Sequence, residues 1–381
     1  MNYNYPIKNN STFTIRVMCA IVFVVFSFAW LYFQADMLNM SQHIMSGGLT
    51  HYHSLVGSTV ITITLLLLQL SIYAVTRLNK RMHALTYLPS MLILALLSDV
   101  SLSVANVSHT LSLWWSVLII IIWLVAVFLA MNAQEMESDK SYALWSRPMW
   151  INLLTMTLMM MFVAWMGNTN AVFHYRMQME SLLSEGDYQS TLKVGKKSLE
   201  SDEHMLMLRM YALARTNGLG DHLFEYPING KSSQMLPTNG STEMLLCSQD
   251  SLYKFLGARP AVPMAPDRYL KMLQRRDSVP QKAIADYLLC GYLIDKDLDG
   301  FAKEIGRYYE VDEHLPRHYR EALTLYTHLR SHPLLVYHVP VVEENYRNMV
   351  EMAKMYATTI EQKEKLRDHF RDTYWYYFKY E

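Results

Sequence analysis

Val117-Leu-Ile-Ile-Ile-Ile-Trp-Leu-Val-Ala-Val-Phe-Leu-Ala130 is an unbroken apolar run. It is too long for a buried strand, since strands usually span about 3–10 residues. As helix it is the centre of a longer apolar segment, residues 111–131, which reaches the roughly 20 residues needed to cross a hydrocarbon core about 30 Å thick. Four other segments have the same character: residues 15–35, 55–75, 84–105 and 149–166. The sequence therefore predicts an all-α chain with five transmembrane helices in a domain of residues 1–170. The first of them offers no small-residue cleavage site around Trp30-Leu-Tyr-Phe-Gln34, so it reads as a retained anchor and not as a signal peptide.

The connecting segments orient these spans. Lys8 and Arg16 precede or open the first; Arg77, Lys80 and Arg81 lie between the second and third; Lys140 and Arg147 lie between the fourth and fifth. Residues 36–54 and 106–110 contain no Lys or Arg. All basic segments thus fall on one side, which the positive-inside rule assigns to the cytoplasm. An odd number of spans then carries the remainder of the chain out of the cytoplasm, to the periplasm of a Gram-negative cell. Trp30, Tyr32, Trp114, Trp115 and Trp165 would lie near the outer interface and Tyr73, Tyr87, Trp145 and Trp150 near the inner one. Trp123 falls mid-span, where packing explains it. The expected localisation is the inner membrane, with the bilayer itself as one partner.

Composition separates the two parts. Mean hydropathy over all 381 residues is only +0.04, because the charged, Tyr-rich residues 171–381 offset the apolar ones. Lys+Arg and Asp+Glu are both 34, a balance that gives no basic surface for nucleic acid. The 27 methionines occupy core-like positions and read as apolar filler. The three cysteines, Cys19, Cys247 and Cys290, show no zinc-ligand spacing. Cys247 and Cys290 could pair in an oxidising compartment.

Polar residues within the spans are few. Asp99, in Ser98-Asp-Val-Ser-Leu-Ser103, is the one acid well inside a predicted span. An intramembrane carboxylate is costly and is a functional candidate for ion or proton coupling. The plainer reading is a residue near the outer end, snorkelling or capped by its Ser and Asn neighbours, with no basic partner at matching depth. Gln69 suits an interhelical hydrogen bond. His43, His51 and His53 form a weak pattern for a metal, lacking a Cys or acid at fixed spacing.

Beyond residue 173 the pattern is helix, loop, helix. Gly186-Asp-Tyr-Gln-Ser-Thr-Leu-Lys-Val-Gly-Lys-Lys-Ser-Leu-Glu-Ser-Asp202 resembles the second helix of a tetratricopeptide repeat. In that frame Gly186 makes the turn and Tyr188 packs between paired helices. Thr191, Leu192, Ser198 and Leu199 face inward, with Ser198 where the repeat prefers a small residue. Residues 203–216 read as the following helix. A degenerate echo runs from Lys296 to Asp312, with Tyr308 at the small-residue position, preceded by a helix over 283–294. Pro316 opens another helix with Tyr319, Ala322, Leu323 and Tyr326 aligned, and helices are expected over 341–359 and 361–380. Residues 226–241 and 257–266 are loops by their Pro and Asn-Gly content. The expectation is an irregular, tetratricopeptide-like domain of helical hairpins. The closing Tyr374-Trp-Tyr-Tyr-Phe-Lys-Tyr380 reads as a cap over the open end of the stack, the alternative being an interfacial anchor.

Gln34 with Ser46-Gly-Gly-Leu-Thr50, Tyr287-Leu-Leu-Cys-Gly-Tyr-Leu-Ile-Asp-Lys296 and Leu315-Pro-Arg-His-Tyr-Arg-Glu-Ala-Leu-Thr-Leu-Tyr326 resemble an uncharacterised family of multi-pass membrane proteins from Bacteroidota. That resemblance implies the architecture and supplies no activity. No nucleophile elbow, Walker loop, dinucleotide glycine pattern or zinc-protease motif occurs, so neither catalytic residues nor a cofactor is expected. Asp295-Lys-Asp-Leu-Asp-Gly300 has no completing Glu and reads as an inter-helix turn rather than a calcium loop. The function expected is a membrane-anchored binding or scaffold protein with a protein or peptide ligand. The alternative is a small ion-coupled transporter or membrane enzyme using Asp99.

Overall fold

A computed structural model describes residues 10–99, 113–135, 146–276 and 281–381. These are helical or irregular, with no strand among the described residues. They form two compact units, Met1–Asn170 and Ala171–Glu381.

The first unit contains α1 (Asn10–Phe33), α2 (Ala35–Ser46), α3 (Ser54–Thr76), a 3-10 stretch (Lys80–Tyr87) running into α4 (Leu88–Ser98), α5 (Leu113–Glu135) and α6 (Arg147–Met166). Four segments are long and apolar enough to cross a membrane: Phe13–Phe33, Ser54–Thr76, Arg81–Ser98 and Arg147–Met166. Within α5 the apolar helix Val117–Ala133 is shorter than these. One face of α1 turns inward through Ile15, Cys19 and Phe23, at helical spacing, while Ile21 and Val25 stay exposed. The supposed connection after the first span holds a helix of its own. Met37, Leu38 and Met40 bury one side of α2, and Gly47 ends it in the left-handed region (φ 61°).

The third segment departs most from a uniform span. Pro89 stands at the first turn of α4, and a proline there has no N–H to give the carbonyl four residues back. That carbonyl, of Leu85, accepts the Leu88 N–H and also the Trp123 indole N–H, the latter at 2.9 Å. Trp123 is therefore a hydrogen-bond donor and more than packing. The tighter 3-10 coil before Pro89 draws on other side chains. Asn152 Oδ1 accepts the Ala84 N–H at 2.7 Å, Gln69 Nε2 donates to Thr86 Oγ1 at 2.9 Å, and Ser90 donates to the Leu65 carbonyl at 2.8 Å. The interhelical bond expected of Gln69 is this one. His83, buried in this stretch, contacts the Leu78 carbonyl through Nδ1 at 3.1 Å. The segments thus hold a buried histidine, which the sequence reading had left outside the spans. The helix ends at Ser98, and the expected continuation to residue 105 lies outside the described residues.

The second unit has α7 (Ala171–Ser184), α8 (Tyr188–Thr191), α9 (Glu203–Arg215), α10 (Leu219–His222), α11 (Gln249–Leu256), α12 (Pro266–Arg276), α13 (Lys282–Ile294), α14 (Leu298–Ile305), α15 (Arg317–Leu329), α16 (Pro340–Lys354), α17 (Thr359–Phe370) and α18 (Tyr374–Tyr380). α9 and α13 are buried on nearly every side. On α15, Tyr319, Ala322, Leu323 and Tyr326 face the core as their spacing requires.

Two expectations are corrected here. The helix expected to run on from Tyr188 stops after one turn. Residues 193–198 continue as tight turns with three-residue bonds, Lys193 N–H to Ser190 and Ser198 N–H to Gly195, and Gly195 sits at φ 60°. Ser198 is half-buried outside any helix and Leu199 is 58% exposed, so neither lies at a helix–helix contact. Tyr188 does pack across to α9, edge-on to Tyr211 with centroids 6.1 Å apart. The last expected helix is likewise two, α17 and α18, because Thr373 accepts the Tyr376 N–H and starts a new one.

The terminal aromatics close the core. Tyr374, Trp375, Tyr376, Tyr377 and Tyr380 are all buried. Tyr374 donates to the Leu293 carbonyl (3.2 Å) and Tyr377 to that of Ile294 (2.7 Å). These are carbonyls of the last turn of α13, beyond its regular four-residue bonds, and that of Leu293 also accepts the Lys296 N–H. The side chains that cover the core therefore also cap a helix.

Candidate functional site

Asp99 closes α4 and is 2% exposed, the one buried acid among the described residues of the first unit. Its surroundings are tied by backbone contacts. Asn168 N–H donates to the Ser98 carbonyl (3.1 Å), and Gln34 Nε2 donates to the Asn168 carbonyl (3.1 Å). Gly167 is needed there, since a Cβ would stand 2.5 Å from the Trp30 ring. The structure thus places Asp99 at a helix end, buried, next to Ser98 in the chain. His43 and His51 approach to 5.7 Å between ring centroids, and His53 precedes α3. Among the described residues no group of three His, Cys, Asp or Glu is arranged to hold a metal.

The other site lies in the second unit, where a groove of about 430 Å³ opens between the turns after α8 and the α9–α10 corner. Lys193 and Lys196 come from the turns; Asn217, His222, Glu225 and Tyr226 come from the corner. The local backbone explains this meeting. Gly195 bends the first segment, and Asn217 takes φ 57° so that Gly218 N–H can reach the Leu213 carbonyl (2.9 Å), reversing the chain after α9.

Glu225 organises the polar groups. It accepts from Lys196 Nζ at 2.9 Å and contacts His222 Nδ1 at 2.6 Å. Partial burial pushes its carboxyl up, but the His222 and Lys196 bonds outweigh that and hold it below its ordinary value. The Glu225 bond in turn raises Lys196, against the opposing effect of burial. Behind Tyr226, the guanidinium of Arg209 stacks 5.1 Å from the ring centroid. Arg209 is 1% exposed and donates to Ser201 Oγ (3.2 Å) and the Pro227 carbonyl (3.3 Å). Burial lowers it to about 10.

Among the described residues no hydroxyl or thiol hydrogen-bonds to His222, and the Thr216 hydroxyl is committed to the Ala212 and Leu213 carbonyls. Other polar clusters are structural. Asp286 accepts from Tyr309 (2.5 Å) and Tyr319 (2.9 Å) in the core. Burial pushes its carboxyl up, and the two hydroxyls only partly offset this. Cys247 and Cys290 are both buried free thiols, so the pairing left open by the sequence is absent. In the Asp295–Gly300 stretch, Asp297 caps α14, Asp295 holds Ser232 and Asp299 pairs with Arg330.

The sequence reading missed the groove. The available signals were Gly195-Lys-Lys197 and Asn217-Gly218, two turn-forming stretches that flank α9.

The chain belongs to DUF6057, a family of unknown function, whose profile matches residues 106–258 and 265–381. The groove lies wholly within that match; Arg16, Gln34 and Asp99 lie before it. No curated protein and no solved structure matches the chain.

Proposed function

We propose that this member of DUF6057 is an inner-membrane protein whose second, tetratricopeptide-like unit holds a protein or peptide ligand in the periplasm. The groove around Glu225 carries the reading: about 430 Å³, lined by polar and apolar side chains, with hydrogen-bonding groups from two turns. Stacked helical hairpins commonly bind extended ligands in such concave surfaces.

The first unit supports the anchoring half. α1 begins where α3 ends, Arg16 stacking on Tyr73. The 3-10 stretch meets the start of α6 through Asn152, and the later part of α5 packs beside Leu78 through Val127 and Ala130. Five helices alternating in this way bring Arg16, Arg77, Arg81 and Arg147 toward one end, as a cytoplasmic face requires. α5, with 23 residues, reaches about 35 Å, enough for a fifth span.

The test is capture from the native envelope in mild detergent, comparing wild type with Lys193→Glu/Lys196→Glu. A partner held by wild type and lost by the variant is expected. Identical capture by both would refute the groove as the binding surface. A second reading, ion coupling or membrane enzymology at Asp99, is favoured by one observation: a carboxylate 2% exposed within a unit of apolar helices.

A further inference from the structure

We propose that Arg16 and the groove beside it form a binding site for one anionic phospholipid, the guanidinium taking the phosphate and the groove an acyl segment. The proposal rests on the membrane reading above. The groove, about 180 Å³, lies between α1, α3 and the 3-10 stretch, with Phe13, Val17, Leu66 and Leu70 as apolar walls. Phe13 is 66% and Leu70 45% exposed, so it opens sideways onto the apolar surface of the unit.

Arg16 is held ready for an anion. Its guanidinium lies 4.2 Å from the centroid of the Tyr73 ring, and Tyr73 Oη donates to Asn79 Oδ1 at 3.0 Å, fixing that ring. Stacking uses the face of the guanidinium and leaves its edge N–H groups, which form the fork that matches a phosphate. Among the described residues no carboxylate pairs with Arg16, and its side chain makes no hydrogen bond. A half-buried cation next to apolar walls, at the end of the unit where basic residues gather, is complementary to a molecule with an anionic head and hydrocarbon chains. Basic pockets between membrane helices bind anionic head groups on these grounds. A free anion would gain nothing from the walls, and a neutral lipid nothing from the unpaired charge.

The full chain in mild detergent is mixed with phosphatidylglycerol or phosphatidylcholine, and retained lipid is counted by native mass spectrometry. Flotation with phosphatidylcholine/phosphatidylglycerol vesicles tests insertion separately. Wild type should retain one phosphatidylglycerol in preference to phosphatidylcholine. Arg16→Gln should lower that affinity about tenfold or more, one charge-assisted pair being lost, while Arg147→Gln leaves it unchanged. Ala20→Phe keeps the charge but fills the groove; it should lose the lipid as well, which keeps the test decisive if Arg16→Gln does not fold. Equal phosphatidylglycerol preference in wild type and Ala20→Phe would overturn the site, as would displacement of the lipid by inorganic phosphate. A chain that does not float with vesicles overturns the membrane reading itself. One that floats but shows no phosphatidylglycerol preference overturns only the lipid site.

Discussion

Glu180 on α7 is the strongest single test of how the second unit is held together. Its Oε2 accepts the N–H groups of Leu245 and Leu246, the latter at 2.7 Å, and its Oε1 accepts Arg176 Nε at 3.2 Å. Arg176 in turn donates to the Glu243 carbonyl at 2.8 Å. Both side chains are at most 2% exposed. The pair therefore pins the irregular segment around residues 243–246 onto α7. Glu180→Ala would leave a buried guanidinium uncompensated, which costs about 3–5 kcal/mol, and two backbone donors without an acceptor. Against a total stability of about 5–15 kcal/mol, this is a large fraction. At roughly 2–4 °C per kcal/mol for a unit of this size, the melting temperature should fall by about 10 °C. Arg176→Met with Glu180→Leu removes both charges at similar volume, so most of the loss should return, leaving about 1–3 kcal/mol for the orphaned N–H groups. Urea unfolding of residues 171–381 provides the measurement, with Lys196→Ala as the contrast: Lys196 is 50% exposed, and such a pair is worth about 0–1 kcal/mol. If Glu180→Ala costs no more than Lys196→Ala, or if the double variant is as unstable as the single, the clamp does not work as described.

Alkaline phosphatase fused after Glu381 should be active, and a fluorescent cytoplasmic reporter there dark; the reverse pattern would refute the orientation. Asp99→Asn should leave the amount of membrane-embedded protein and any cellular phenotype nearly unchanged, because the amide keeps the shape and most hydrogen bonds. Loss of function at normal protein level would instead support the reading that uses Asp99. Asp286 has a folded-state carboxyl raised by burial, so its contribution is complete below the ordinary carboxyl range and is lost as pH rises through the raised value. Melting temperatures of wild type and Asp286→Asn, compared from about pH 4 to about pH 8, should therefore show the wild type losing ground with rising pH; a constant difference would contradict the assignment.

How much of this was legible depends on which physics each residue answers to. α3 and α6 fall where apolar length places them, because length against bilayer thickness is a property of sequence alone. The third segment was drawn too regular. Pro89 was visible, but the side chain that also bonds the Leu85 carbonyl, Trp123, stands 38 residues further along the chain. The inward alignment of Tyr319, Ala322, Leu323 and Tyr326 followed from helical spacing. The end of α8 did not, because Leu192-Lys-Val-Gly-Lys-Lys197 has acceptable helix periodicity. What decides is Gly195 in the left-handed region, set against Tyr175 and Arg209. Ser198 and Leu199 were misplaced for that reason. Asp99 was legible as a lone acid, but its burial at the end of α4 depends on long-range packing, the Asn168 N–H reaching the Ser98 carbonyl beside it.

The groove also bears on which ligand chemistry the proposal favours. Lys196 donates to Glu225 and His222 contacts it, so that carboxylate is already engaged by two neighbours. Lys193 lies farther from Glu225 and acts on the exposed Asp187 carboxylate through its charge. A strongly anionic small molecule would have to displace Glu225 and leave that carboxylate buried against its own charge, and an uncompensated charge is the expensive outcome. A peptide asks for less. Its backbone offers neutral donors and acceptors that Asn217 and Gln189 can meet without breaking the Glu225 pairs, and its side chains can cover Leu192 and Leu213 on the same wall. Matching of this kind rewards an ordered site that needs little rearrangement on binding. The two turns that build the groove are fixed by left-handed residues, Gly195 and Asn217, at positions where most side chains would be strained. This arrangement supports an extended polypeptide over a compact anion as the occupant.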